Sequence, residues 1–93
     1  MSGHTLALPE RLTLEEAVPT LARLDGLLAQ QAQATVVLDA ASLREFDSSA
    51  LAVLLELRRR LQARGKALRV EGWPRRLQDL AGLYGVQELL ASA

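Results

Sequence analysis

A chain of 93 residues with zero formal net charge and no cysteine has room for one domain and one core. Chains of this size bury roughly 60–65% of the surface their unfolded form exposes, enough for autonomous folding with little surplus. The missing cysteines remove disulfide frameworks, thiolate metal sites and thiol nucleophiles together, and with 3% aromatics in a 49% hydrophobic sequence the core must be built from Leu, Val and Ala.

In chain order, Thr5 to Leu8 alternates weakly and stops at Pro9, which predicts a short strand, extended by Arg11-Leu12. Thr13 followed by Glu16 is a capping-box signature for a helix. Leu14, Val18, Leu21, Leu24 and Leu28 recur on one helical stripe. Pro19 should kink that helix or split off its first turn, since an interior proline removes a hydrogen bond at a cost of ~3 kcal/mol. Thr35-Val36-Val37-Leu38-Asp39 is apolar on both faces and reads as a central strand covered on both sides.

Ala40 to Asp47 reads as a loop with two apolar anchors, Leu43 and Phe46. Asp47-Ser48-Ser49 then supplies helix-capping residues. In the helix that follows, Ala50, Leu54, Leu57 and Leu61 face inward with Val53 beside them. Leu51 and Leu55 sit on the flank, and Ala52, Glu56, Arg59, Arg60 and Ala63 face outward. Gly65 is placed to end it. Ala67 to Glu71 alternates as a strand, Pro74 suits a first helical residue, and Leu77, Leu80, Ala81 and Tyr84 give a last stripe before Gly85. Val86 to Leu90 adds a short helical turn. The order β-α-β-α-β-α, plus that turn, predicts an α/β fold: a small mixed β-sheet with helices packed on it, residues 1–93 forming one domain.

Charge is unevenly placed. Residues 1–57 carry eight acids against three bases, and residues 58–93 eight bases against three acids. The basic half could meet nucleic acid or an acidic protein surface, but a solvated helix face is the favoured reading. Trp73 and Tyr84 are the only aromatics near it, too few for a stacking platform, so no nucleic acid is expected as partner. Catalytic motifs are missing: there is no phosphate-binding glycine loop, no nucleophile elbow, and His4, the one histidine, sits at the terminus. The chain is expected to be no enzyme, to need no cofactor and to hold no metal. No basic patch followed by an apolar run opens the sequence, and the longest apolar run, Ala50 to Leu55, is far short of the ~20 residues of a spanning helix. A cytoplasmic protein with no direct membrane insertion is expected.

The most informative stretch runs from Leu38 to Leu51. A strand, an anchored loop and an acid-hydroxyl cap would leave Ser48 facing solvent at the positive end of a helix. The pattern Val36-Val37-Leu38-Asp39, Leu43, Phe46, Asp47-Ser48-Ser49-Ala50-Leu51, Leu54-Leu55 resembles the signature of the STAS domain, the fold shared by bacterial anti-sigma-factor antagonists and cytosolic parts of sulfate transporters. Gly65-Lys66-Ala67-Leu68-Arg69-Val70 and Leu80-Ala81-Gly82-Leu83-Tyr84-Gly85-Val86 also look like the family, so the likeness spans about Thr5 to Leu90. Two features depart from it. Ala50 replaces the usual glycine, and the chain begins late for the family's first strand, implying a smaller sheet or an exposed edge.

Within the family, the short length, Pro19 and the Leu83-Tyr84-Gly85-Val86 ending resemble the Mla-type STAS subunits. Those associate with the ATPase subunit of an ABC system that moves phospholipid between bacterial membranes. The resemblance implies a cytosolic accessory subunit that stabilises or regulates such an ATPase, any peripheral membrane attachment coming only through that complex. The alternative is an anti-sigma-factor antagonist whose Ser48 is phosphorylated by an anti-sigma kinase. Both use one surface: Asp47, Ser48 and Ser49 as hydrogen-bonding or phosphorylation residues, with Leu51 and Leu55 as apolar anchors or, equally, as packing against the next helix.

Overall fold

The structure, a computed structural model, describes residues 5–90; His4 lies outside them. Three strands, β1 (Thr5–Ala7), β3 (Thr35–Asp39) and β5 (Ala67–Glu71), form one sheet in the order β1-β3-β5. Two shorter strands, β2 (Arg11–Leu12) and β4 (Glu45–Phe46), form a second. The helices are α1 (Leu14–Ala29), α2 (Ser48–Ala63), α3 (Arg75–Leu83) and α4 (Gln87–Leu90). The α/β class and element order agree with the sequence.

The sheet is parallel rather than mixed: every pairing among the described residues runs parallel. Successive main-sheet strands are joined through α1 and through α2, and parallel neighbours require such crossovers. Arg11-Leu12 does not prolong β1. It turns away after Pro9 to pair with Glu45-Phe46, so the expected loop contains a strand.

Register explains which side is buried. Leu6, Leu38 and Val70 lie in one row across the main sheet, with Val36 and Leu68 paired one step before. Val36, Leu38 and Val70 are at most 1% exposed. The alternate rows, Thr5-Val37-Arg69 and Ala7-Asp39-Glu71, are exposed or half-buried. β3 is thus central but covered fully on one face only. The β-branched run reports strand propensity, and Val37 needs no partner layer.

Helix α2 buries its expected face, Ala50, Val53, Leu54, Leu57 and Leu61, and Leu51 from the flank with it. Its end is closed by Gly65 at φ +74°. Helix α1 departs from expectation. Leu14 and Val18 are each 75% exposed, while Thr20, Leu24 and Leu28 are buried and Ala17 and Leu21 pack beside them. At 100° per residue, Val18 stands about 120° from Leu24 and falls outside the buried face, while Leu14 is exposed at the first position of the helix. The helix also runs through Pro19 as one element. Proline at this exposed position frees the Glu15 carbonyl near the helix start, where water can reach it. Pro74 is the N-cap of α3 rather than its first residue, a one-residue shift. Tyr84 is not in the α3 stripe; it lies just past the last helical residue, 58% exposed, before the turn at Gly85.

Gly26 is exposed inside α1, with nothing within 4 Å of a Cβ built there. Gly26→Ala is therefore expected to stabilise the chain by about 0.5–1 kcal/mol, since alanine restricts the unfolded chain and suits a helix. Thermal unfolding should show Tm raised by about 4 °C.

Candidate functional site

The site is built by the small sheet. In the β2–β4 register Leu12 faces Phe46, and both are buried, at 0% and 8% exposure. The residues that follow, Thr13 and Asp47, are the N-caps of α1 and α2. One pairing thus sets two helix amino ends side by side.

Each cap is closed locally. The Thr13 backbone N–H and its Oγ1 donate to Glu16 Oε1 at 2.8 and 2.6 Å. Asp47 Oδ1 accepts from the Ser49 N–H at 2.8 Å, and its other oxygen, Oδ2, accepts from the Leu14 N–H of α1 at 3.3 Å. Leu14 is the first residue of its helix, and its N–H has no intrahelical acceptor. These bonds to the charged form, from Ser49 first and then Leu14, hold the Asp47 carboxyl below its ordinary range. Glu16 is lowered in the same way by Thr13.

Ser48 is the exposed first residue of α2, and Ser49 is half-buried behind it. Alongside lies an open groove of about 300 Å³, lined by Ser48, Leu51, Ala52, Leu55, Tyr84 and Val86. Leu55 is half-buried there. Leu51 is 3% exposed and belongs to the core, so as an anchor offering free apolar area it is corrected: it underlies the groove. The reason is its angle, which carries it under the α3–α4 turn. That turn supplies what the sequence reading missed, Tyr84 and Val86 as the opposite wall. The signal was available in Gly85, which forces the chain to turn at φ +70° and leaves Tyr84 outside the helix. Next to Tyr84, Leu83 is 79% exposed. The arrangement can bind: one hydroxyl beside apolar walls, at a helix amino end. It brings Asp47, Ser48, Ser49 and Leu55 to one place.

Most of the basic cluster lies elsewhere and is paired. Glu56 receives Arg59 at 2.6 Å and Arg60 at 2.8 Å, and these two guanidiniums hold its carboxyl down to about 2. Asp25 of α1 receives both Arg60 and Arg64 at 3.3 Å. Arg69 meets Glu71 at 3.1 Å, Lys66 donates to the Gln31 carbonyl, and Arg76 lies 5.2 Å from the Phe46 ring centroid. Most of that charge is absorbed within the fold. Trp73 packs against the core and donates from Nε1 to the Val70 carbonyl at 3.0 Å.

Comparison with solved structures places this fold beside a sulfate transporter family protein from Wolinella succinogenes, with a TM-score of 0.72 over 95% of this chain and 70% of that one, at 20% identity. No curated protein matches the sequence. A family model described as "Mlab, STAS domain" matches residues 1–91. The order of elements, the loop anchored by Leu43 and Phe46 and the Asp47-Ser48-Ser49 helix start all sit within that match, and the chain belongs to the STAS domain family.

Proposed function

We propose that this chain is a non-enzymatic accessory subunit that binds, and stabilises or regulates, the ATPase subunit of an Mla-type phospholipid ABC transporter. The observation that carries the reading is the exposed Ser48 at the start of a 16-residue helix, beside a groove walled by Leu55, Tyr84 and Val86. A hydroxyl with free donor and acceptor capacity next to apolar area is what a protein interface uses to orient and anchor a partner. The match to a family model described as Mlab favours this reading over an anti-sigma-factor antagonist. Among the described residues no helix is long and apolar enough to cross a membrane, so contact with the bilayer would run through the ATPase and its complex, from the cytoplasmic side.

The test is native capture. A tagged chain purified from its own cells should bring down an ABC ATPase, identified by mass spectrometry. A kinase-like anti-sigma factor in its place would move the assignment to the antagonist, with Ser48 as the phosphorylated residue. Turnover by the isolated chain that depends on Ser48 would overturn both.

A further inference from the structure

Asp47 spends its two carboxylate oxygens on two different helices, Oδ1 on Ser49 of α2 and Oδ2 on Leu14 of α1. The second bond spans 33 residues of sequence and holds the α1 amino end in place. That end carries Leu14 and Val18, each 75% exposed and one helical turn apart. Isolated exposed apolar residues are ordinary, but this pair stands next to the Ser48 helix start. Around it lie the carboxylates of Glu15, Glu16, Glu45 and Asp47, against the guanidiniums of Arg11 and, over the Phe46 ring, Arg76. Arg11 is shared among Glu15, Glu16 and Glu45, so the border is acidic on balance.

We propose that Asp47 is a positioning residue that joins the amino ends of α1 and α2 into one docking surface, in which Leu14 and Val18 form a second apolar ridge, met by a partner face that is apolar with a basic border. This rests on the reading of the Ser48 surface as the site of the ATPase subunit, and assigns that subunit the matching chemistry. Opposite borders raise the rate of encounter and fix register. A carboxylate is needed because its two oxygens accept independently. An amide of the same shape has one acceptor oxygen and would turn an N–H₂ toward the other donor.

The discriminating variant is Asp47→Asn, which keeps a good N-cap residue for α2 and loses the link to Leu14. In the free protein, circular dichroism should be unchanged, the Ser49 amide should stay protected, and Leu14 amide exchange should quicken about tenfold. In calorimetry with the purified ATPase subunit, Asp47→Asn and the pair Leu14→Ala/Val18→Ala should each weaken binding about tenfold, and together little more than either alone. Wild-type affinity should fall as salt rises from about 50 to about 300 mM. Wild-type Leu14 exchange in Asp47→Asn, wild-type affinity in either variant, or indifference to salt would overturn the proposal. Failure of the wild-type chain to bind the ATPase would instead remove the functional reading and the ridge with it, and Leu14 exchange would still decide whether Asp47 ties the helices.

Discussion

Ser48→Asp is expected to leave the fold intact and to weaken capture of the partner by about 2 kcal/mol or more, roughly 30-fold. Ser48 is exposed and occupies the first position of α2, where an acidic side chain meets the positive end of the helix dipole and contributes about 0.3–1 kcal/mol of stabilisation. Asp47 beside it opposes part of that gain, so Tm should stay within a few degrees of wild type. Binding behaves differently. A partner seated on the groove would enclose the new carboxylate beside Leu55, Tyr84 and Val86, and enclosing a charge without a matching one costs several kcal/mol. Ser48→Ala is the necessary companion, removing the hydroxyl without adding charge and costing only about 1 kcal/mol of hydrogen bonding. Circular dichroism and a quantitative pull-down on the three proteins decide the matter. Undiminished capture by Ser48→Asp would show that the partner does not cover this surface. Phosphorylation would act in the same direction, adding about −1.5 to −2 charge at neutral pH.

How far the sequence could be read depended on the range of the interaction that decides each feature. The ends and most of the buried face of helix α2 were legible because their signals are local: Asp47 caps it, the Ala50–Leu61 periodicity buries one face, and Gly65 closes it; Leu51, expected on the flank, was the exception. The Thr13–Glu16 box was legible for the same reason. Features decided between distant segments were not. Nothing near Arg11-Leu12 announces that it will pair with Glu45-Phe46, because a two-residue strand has no periodicity to display. Leu14 and Val18 carry a helical spacing that promised burial, but among the described residues no element covers that side of α1, and both are exposed. Of the site, the acid-hydroxyl start was visible as composition; its second wall was not, since Tyr84 and Val86 reach α2 only through the α3–α4 turn.

These two kinds of information meet at Asp47. Its cap to Ser49 follows from residue type and position. Its bond to Leu14 follows from the β2–β4 register, which sets Thr13 and Asp47 next to each other as paired caps. A minimal second sheet thus has a purpose out of proportion to its size: it aligns two helix amino ends and fixes where Ser48 stands.

The loop that leads to this site begins at the turn after β3, and Gly72→Ala should damage it most. Gly72 follows β5 with φ +70°, a left-handed conformation that costs a side-chain-bearing residue about 1–2 kcal/mol. A Cβ there would lie 2.6 Å from Asp39 Oδ1 and 3.1 Å from both the Cβ and the backbone nitrogen of Ala41. Asp39 Oδ1 is the acceptor for the Ala41 N–H at 2.9 Å, so the intruding methyl group would displace that turn and forfeit a hydrogen bond of about 0.5–1.5 kcal/mol. Strain and displacement together predict a loss of about 2–4 kcal/mol, and for a domain of this size a fall in Tm of at least about 10 °C. Gly65→Ala separates the two causes. Its φ is +74° but nothing lies within 4 Å of the added Cβ, so it should lose only the left-handed strain. Denaturant unfolding of both variants measures the difference. Equal losses would mean that the turn at Ala41 accommodates the methyl group and that Gly72 is there for its backbone angle alone; a larger loss at Gly72, joined to weaker partner capture, would show that the Asp39–Ala41 turn holds the strand end from which the chain travels to Asp47 and Ser48.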